Sequence, residues 1–333
     1  MISLADIAVF VKANYSIKLI HVTQLTDKVF KLQTQNEAYV LKFARDDDLI
    51  MKQLYAHKEL PDNVLPIYKT KSGASFAHHE EGLAYLTDYI TRIPIPFEKQ
   101  VADYIQILQK LHTRTGLDVE QHDVEITNMY NENYQLLAAN FSILEHQINR
   151  IEMKIARSPF EWYVMMVYPL LYGMYRRSDD AMQKFYRGLF HKKQRPVAMT
   201  HGDINAANIL PSTKTSYLIN FENSGFDSPA QDLLLFLSHY HQLPGIRNMV
   251  AGYLKEQKNQ LVAYDFFMRT LCIDLISVFD DLVGNSLLDI SVLNERIAPG
   301  MVAMQIYDEM NAQKKPEKKQ GTTPKQSTSD NKS

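Results

Sequence analysis

The N-terminal part of the chain alternates short β-forming runs with polar turn signals. Five runs rich in β-branched and aromatic side chains predict strands at residues 17–22, 28–33, 38–43, 64–68 and 83–90. Residues 46–57 have helical spacing, and Ser3 followed by Asp6 predicts a capped first helix. The pattern therefore predicts a small β-rich unit that also contains a few helices.

The pattern changes after a stiff segment at residues 91–96. Pro94 and Pro96 resist a helix and lack the donor that a sheet ladder requires, so we interpret this segment as a hinge. Beyond it, apolar residues recur every three or four positions from Val101 to Leu111, as on one face of a helix. Further helices are predicted at residues 131–157, 160–175, 179–190, 230–241 and 262–283, and short strands at residues 197–200 and 217–220.

This succession predicts an α+β fold with two lobes. The β-rich N-lobe covers residues 1–90, the hinge follows, and a larger helical C-lobe covers residues 97–312. Residues 313–333 consist mainly of Lys, Gln, Ser, Thr and Pro without an apolar anchor, so they are predicted to form a disordered tail.

The composition is that of an ordinary globular chain, with 45% hydrophobic and 22% charged residues. The net charge is −2 and the tail is basic, so the remainder is acidic, which argues against a nucleic-acid partner. Cys272 is the single cysteine, so no intrachain disulfide can form. There is no signal-peptide pattern and no apolar run of about 18 residues, so we expect synthesis in the cytoplasm and no membrane span.

Three motifs stand in an order that is typical of phosphoryl transfer. Lys42 ends a predicted strand in the N-lobe. Residues 201–208 read His-Gly-Asp-x-x-x-x-Asn and follow a predicted strand in the C-lobe, and Asn220 comes shortly after them, next to Phe221. Protein kinases place a strand lysine, a His-Arg-Asp-x-x-x-x-Asn loop and a metal-binding Asp-Phe-Gly in the same order.

Each of these residue types meets one requirement of the chemistry. Asp203 would accept the proton of a substrate hydroxyl, Asn208 would offer its side-chain oxygen to Mg²⁺, and Lys42 would neutralise phosphate charge from the opposite lobe. His201 is expected to brace the loop by hydrogen bonding, because an aspartate already fills the role of the base. Asp232 is expected to support the loop from below rather than to react.

The chain resembles the aminoglycoside phosphotransferase and choline kinase group, whose loop has glycine where protein kinases have arginine. It resembles more closely the kinase-like spore-coat proteins of endospore-forming bacteria, of the CotS and YsxE type. The closer resemblance lies in Tyr-Leu-Ile-Asn-Phe-Glu-Asn at residues 217–223 and Ser-Pro-Ala-Gln-Asp-Leu at residues 228–233. The wider resemblance spans residues 3–310 and implies a kinase-like fold with ATP and Mg²⁺ as cofactors. The closer one implies assembly into the spore coat, with coat proteins as partners.

Several features depart from the kinase pattern. Asn220 stands where the metal-binding aspartate is expected, and an amide brings no charge to Mg²⁺, which normally relies on carboxylates. Glu222 is an alternative carboxylate ligand two residues further on. The first predicted hairpin, at residues 24–28, has no glycine through which backbone amides would approach a phosphate. Residues 46–57 offer no evident acidic partner for Lys42.

The sequence leaves two functions open. In the first, a spore-coat-associated pseudokinase uses its fold for binding or assembly, with weak or altered nucleotide binding. In the second, an active ATP- and Mg²⁺-dependent phosphotransferase acts on a small hydroxylated substrate, with Asp203 as base and with Asn208 and either Asn220 or Glu222 as metal ligands. The first is favoured, because loss of a metal carboxylate weakens the electrostatic stabilisation that dominates phosphoryl transfer. Neither the acceptor nor the oligomeric state can be predicted.

Overall fold

The computed structural model describes residues 3–312, and in this range the β-forming and helical runs segregate along the chain. The strands are β1 His21–Thr26, β2 Val29–Gln33, β3 Ala38–Ala44, β4 Ala77–His79, β5 Gly82–Asp88, β6 Leu117–Glu120, β7 Gln194–Thr200, β8 Ile209–Pro211, β9 Ser216–Leu218 and β10 Gly225–Asp227. The helices are α1 Leu4–Asn14, α2 Asp48–Glu59, α3 Phe97–Thr115, α4 Asp123–Glu152, α5 Pro159–Lys192, α6 Ala230–Tyr240, α7 Ile246–Glu256, α8 Gln260–Leu271, α9 Leu275–Asp280 and α10 Ser286–Ala312. The predicted tail at residues 313–333 lies outside the described residues.

The N-terminal part is an antiparallel sheet with the strand order β1-β2-β3-β5-β4, covered on one face by α1. Ser3 caps α1 as predicted, because its hydroxyl accepts a hydrogen bond from the Asp6 amide at 3.0 Å. Ile7 and Val11 on α1 are fully buried in a core that also contains Leu41 of β3. Because α1 covers one face of the sheet, only the opposite face can contact the C-terminal part.

Strand β3 places a lysine on the face of the sheet opposite to α1. Successive side chains of a strand point to opposite faces, so Leu41 and Phe43 enter the core with α1 while Lys42 projects the other way. Lys42 pairs with Val29 of β2 and Tyr85 of β5, so it lies in the middle of the sheet. The alternation of β3 therefore directs Lys42 towards the helical part.

The C-terminal part is built on helices α3, α4, α5, α8 and α10, which share one large apolar core. Strand β7 is the central strand of a small sheet with the order β10-β7-β6, and it leads directly into residues 201–208. The segment between β5 and α3 has no regular structure, and its Ile93 amide donates to the Pro211 carbonyl at 3.0 Å. Within residues 3–312, no helix has both the length and the apolar character needed to cross a bilayer.

The prediction of the first strand at residues 17–22 is wrong, because β1 covers His21–Thr26. Thr26 pairs with Val29, so only two residues form the turn between β1 and β2. The ladder ends at the pair of His21 and Gln33, where β2 itself ends. Because the turn contains only two residues, β1 extends to Thr26 and lies four residues further along the chain than predicted.

The predicted strand at residues 64–68 is also absent. Val64 and Tyr68 each form only an isolated bridge, with Leu218 and Leu86 respectively. Pro66 lies between them and has no amide hydrogen to donate to a ladder, which explains the interruption. The partner that β5 takes in its place is β4.

Helix boundaries differ from prediction at three places. Helix α4 begins at Asp123 rather than at residue 131. The predicted helices at residues 160–175 and 179–190 form one helix, α5, in which the buried Ser178 hydroxyl donates to the Met268 carbonyl of α8 at 2.7 Å. The predicted helix at residues 262–283 is divided into α8 and α9, because Asp274 caps the start of α9.

Candidate active site

The loop at residues 201–208 is held from below by a buried carboxylate on α6. Asp232 is fully buried, and its oxygens accept hydrogen bonds from the amides of His201 at 2.7 Å and Gly202 at 2.9 Å. Its Oδ2 also lies 3.0 Å from Nε2 of His112 on α3. The prediction that Asp232 supports the loop is confirmed by these contacts.

The charge of Asp232 is stabilised by its partners. Burial alone would raise the pKa of Asp232, but the hydrogen bond and charge of His112 and the two loop amides outweigh burial and lower that pKa. The other ring nitrogen of His112 lies 2.6 Å from the hydroxyl of Tyr253 on α7. One buried network therefore connects α3, α6 and α7 to the start of the loop.

His201 braces the loop on its other side. The ring is fully buried, and its nitrogens lie 2.9 Å from the Asp203 carbonyl oxygen and 2.8 Å from the Ile219 carbonyl oxygen. The first contact closes the loop on itself, and the second ties it to the segment after β9. This geometry supports the predicted bracing role.

Gly202 allows the loop to turn between His201 and Asp203. Its φ is +78°, a backbone conformation that residues with a Cβ atom rarely adopt. A Cβ atom at this position would also lie only 2.2 Å from the Asn223 carbonyl oxygen. The glycine is therefore required both by the backbone conformation and by the close approach of the segment after β9.

Asp203 presents its carboxylate while its backbone is fixed. Its carbonyl oxygen accepts hydrogen bonds from the Tyr104 hydroxyl at 2.9 Å and from Nδ2 of the buried Asn208 at 3.0 Å. The residue is half-buried, and no side chain of residues 3–312 donates to its carboxylate. The carboxylate is thus left free to accept a hydrogen bond from another group, as a catalytic base must.

The structure brings Lys42, Asn220 and Asn208 together in a chain of hydrogen bonds. The Lys42 ammonium donates to Oδ1 of Asn220 at 3.0 Å. Nδ2 of Asn220 donates to Oδ1 of Asn208 at 2.8 Å. Asn220 has φ +64° and ψ +69°, a left-handed conformation that asparagine tolerates better than most residues. Because Asn208 also donates to the Asp203 carbonyl oxygen, this series of hydrogen bonds connects four predicted site residues: Lys42, Asn220, Asn208 and Asp203.

Lys42 and Glu222 lie close enough to interact electrostatically. Burial lowers the pKa of Lys42, and the negative charge of Glu222 raises it in part. Glu222 itself is exposed, on the 3₁₀ turn Phe221–Asn223, and within the described residues it forms neither a hydrogen bond nor an ion pair. Lys42 therefore has an amide as its hydrogen-bonded partner, with a carboxylate only nearby.

The candidate phosphate loop is a tight turn. Thr26 pairs with Val29, which leaves only Asp27 and Lys28 to connect β1 and β2, and the turn contains no glycine. Helix α2 contributes no ion pair to Lys42, and its Asp48 pairs with Lys52 at 2.7 Å. Both departures from the kinase pattern noted in the sequence are thus present in the structure.

Sequence reasoning missed two residues that hold the loop, His112 and Tyr104. Both lie on the buried face of α3, which the sequence predicts only as an apolar helix face between Val101 and Leu111. A signal was present, because His112 lies four residues after Leu108 on the same helical face and is polar. A polar residue on a buried face requires a partner, and here the partner is Asp232.

Comparisons with known proteins bear on the fold of the chain. A family model described as the ecdysteroid kinase-like family matches residues 109–264, just under half of the chain. No curated protein matches the chain. An aminoglycoside phosphotransferase structure from Alicyclobacillus acidocaldarius covers 94% of this chain and 97% of its own, with 13% identity and a TM-score of 0.61. The AMP-bound spectinomycin phosphotransferase covers 92% and 99%, with 14% identity and a TM-score of 0.50.

These similarities show the fold. The predicted α+β, two-lobed, kinase-like fold is confirmed, with a β-sheet N-terminal part and a larger helical C-terminal part. The segment that the kinase-like family model matches contains the loop at residues 201–208 and Asn220. Lys42 lies outside the matched segment.

Proposed function

We propose that this chain is a kinase-fold protein that binds the phosphates of a nucleotide but transfers a phosphoryl group poorly, and that it acts by binding or assembly. The observation that carries this proposal is the contact between the Lys42 ammonium and the Asn220 amide at 3.0 Å. It sets a half-buried cation opposite the loop that bears Asp203 and Asn208, but it puts an amide where a metal-binding carboxylate is expected. A lysine that could contact phosphate is therefore retained, while the position expected to bind the metal carries an amide.

Similarity to solved phosphotransferases supports the proposal that this chain binds a nucleotide. The spectinomycin phosphotransferase with the same fold is a complex with AMP. A cationic side chain with a lowered pKa lacks a full counter-charge, and an arriving phosphate supplies one. Within residues 3–312, Lys42 is the lysine whose pKa is lowered by burial in this way.

Poor transfer follows from electrostatics. Catalysis of phosphoryl transfer depends on positioning and on positive charge next to the phosphoryl oxygens, and metal ions supply most of that charge. Mg²⁺ is usually held by one or two carboxylates together with the phosphates. Asn220 removes one of those carboxylates, and Glu222 lies on an exposed turn.

Assembly into the spore coat is the cellular part of the proposal. It is supported by the sequence resemblance at residues 217–223 and 228–233 to spore-coat proteins of the CotS and YsxE type. It predicts recovery of the chain with the coat fraction of the spores of its host. Asp203→Ala should leave that recovery intact, since binding and assembly do not need the base. Loss of the Asp203→Ala chain from the coat would contradict a role independent of catalysis.

A second candidate function is an active phosphotransferase that acts on a small hydroxylated substrate. It is favoured by Asp203, whose carboxylate receives no side-chain hydrogen bond in the described part of the chain while its backbone is fixed. Under this alternative, ATP consumption in the presence of Mg²⁺ and an acceptor is rapid, and Asp203→Ala abolishes it. Under the proposal that we favour, the wild-type rate is already close to that of Asp203→Ala.

Nucleotide binding is tested by Lys42→Met. Removal of the ammonium should weaken ATP binding by about tenfold or more, because charge-assisted contacts to phosphate contribute over 1 kcal/mol each. Titration calorimetry measures the change.

Lys12→Met is the matched control for this measurement. Lys12 lies exposed on α1, which covers the other face of the sheet, so the same loss of charge should leave ATP binding unchanged. Equal affinities of wild type and Lys42→Met for ATP would contradict the proposed site.

A further inference from the structure

The chemistry of their partners fixes the orientation of the two amides in the cleft. An ammonium group only donates, so Lys42 must face Oδ1 of Asn220. The Nδ2 group of Asn220 then faces Oδ1 of Asn208, at 2.8 Å. Asn208 is fixed in this orientation because its own Nδ2 donates to the Asp203 carbonyl oxygen at 3.0 Å. The side-chain amides of Asn220 and Asn208 therefore each accept one hydrogen bond and donate one, in a continuous series from Lys42 to the loop.

An aspartate at position 220 could not form the hydrogen bond that Asn220 donates to Asn208. A carboxylate accepts from Lys42 as the amide does, but it has no hydrogen to donate to Asn208. Two oxygen atoms would then face each other, an arrangement that a divalent cation between them stabilises. In this protein Nδ2 of Asn220 donates directly to Oδ1 of Asn208, so this contact needs no cation.

The residues present do not fit a firmly held Mg²⁺. Both amide oxygens of the chain already accept a hydrogen atom, from Lys42 and from Asn220. The carboxylates nearest in sequence to these amides are Asp203, in the loop itself, and Glu222, which is exposed on the turn. Within residues 3–312, no group of three His, Cys, Asp or Glu side chains is placed to hold a metal ion. A hard cation would have to displace existing hydrogen bonds without gaining the carboxylates that usually repay its dehydration.

We infer that the cleft binds nucleotide phosphate without a divalent metal, with the Lys42 ammonium as the source of positive charge and the Asn220 amide in place of the cation. The inference rests on the proposed function, since it specifies how the same cleft takes its nucleotide. It also assigns a role to Glu222: its exposed carboxylate, on the turn Phe221–Asn223 that directly follows Asn220, repels phosphate and does not serve as a metal ligand.

The test is titration calorimetry with the non-hydrolysable ATP analogue AMP-PNP, in EDTA and in Mg²⁺. The full wild-type chain should bind in both solutions with dissociation constants within about threefold of each other. Asn220→Asp adds a negative charge and removes the donor, so it should weaken binding in EDTA by about tenfold or more and regain affinity with Mg²⁺.

Two further variants make the test specific. Asn223→Asp adds the same charge in the same turn, but it leaves the amide chain intact, so its affinities in EDTA and Mg²⁺ should stay close to each other. Glu222→Gln should tighten binding in EDTA by about two- to fivefold, because it removes a repelling charge. Thermal unfolding of each variant confirms that it is folded before binding is compared.

The outcomes separate this inference from the proposed function. Binding by the wild type only in Mg²⁺, or selective loss of Mg²⁺-dependent binding in Glu222→Gln, would overturn metal-free binding and leave the nucleotide site standing. No metal dependence in Asn220→Asp would overturn the role assigned to the Asn220 amide. No binding in either solution would overturn both the inference and the proposed function.

Discussion

Replacing Asp232 by alanine is expected to lower the free energy of unfolding by about 3–5 kcal/mol. The carboxylate is fully buried and accepts hydrogen bonds from His201, Gly202 and His112, so its removal leaves two buried donors and one half-buried donor without a partner. Each unsatisfied buried donor costs about 1–3 kcal/mol. Urea unfolding followed by circular dichroism measures the loss.

An exposed aspartate provides the matched control for Asp232→Ala. Asp281 pairs with Arg296 at 3.4 Å, and both side chains are more than half exposed. Exposed ion pairs contribute about 0–1 kcal/mol, so Asp281→Ala should change stability very little. A similarly small effect of Asp232→Ala would show that the loop is not held through this carboxylate.

Acid should weaken the same network in a defined direction. The pKa of Asp232 is lowered below its ordinary value of 3.8, so its contribution to stability is fully present above that value. Below 3.8 the unfolded chain binds a proton that the folded chain does not, and the contribution is lost as pH falls through the folded pKa. The free energy of unfolding should therefore fall less steeply below about pH 4 in Asp232→Asn than in the wild type. Equal slopes would show that the Asp232 carboxylate does not titrate below its ordinary range.

Gly202→Ala is expected to cost about 3 kcal/mol or more of stability. A left-handed conformation costs a residue with a Cβ atom about 1–2 kcal/mol. The close contact with the Asn223 carbonyl oxygen adds to this, since backbone on both sides would have to move. We also expect the variant to lose nucleotide binding, because the shift separates the loop from Asn220.

Substitutions at two other glycines serve as controls for Gly202→Ala. Gly73 also has a positive φ, of +85°, but has open space around it, so Gly73→Ala measures the conformational cost alone. Gly252 lies within α7 with nothing nearby, and Gly252→Ala should stabilise the chain by up to about 1 kcal/mol. If Gly202→Ala cost no more than Gly73→Ala, the close approach to Asn223 would have no energetic weight.

Local patterns predicted those parts of the fold and site that depend on neighbouring residues. The β-forming run at residues 38–43 predicted that Lys42 lies in a strand, and the motif at residues 201–208 placed Asp203 and Asn208 on one loop. The sequence likewise indicated Asp232 as a support, because it begins an apolar helix near the motif. In each case the periodicity or spacing of a short segment was sufficient.

Contacts between distant segments could not be predicted in the same way. Lys42 and Asn220 are 178 positions apart, and nothing in either segment specifies that the amide becomes the partner of the lysine. The sequence predicts two helices that leave out residues 176–178, and the bond of the Ser178 hydroxyl to the α8 backbone is visible only in the structure. His112 likewise needed a partner on another helix to reveal its role.

The measurement that tests the account most directly is thermal unfolding of the wild-type chain with ATP, compared with adenosine at the same concentration. A ligand that binds only the folded state raises the midpoint by mass action. If the cleft between Lys42 and residues 201–208 binds nucleotide phosphates, ATP should raise the midpoint by about 2–4 °C or more, and adenosine by clearly less. The same rise should appear in EDTA and in Mg²⁺. An unchanged midpoint at millimolar ATP in both solutions would contradict the account, because the cleft would then hold no nucleotide.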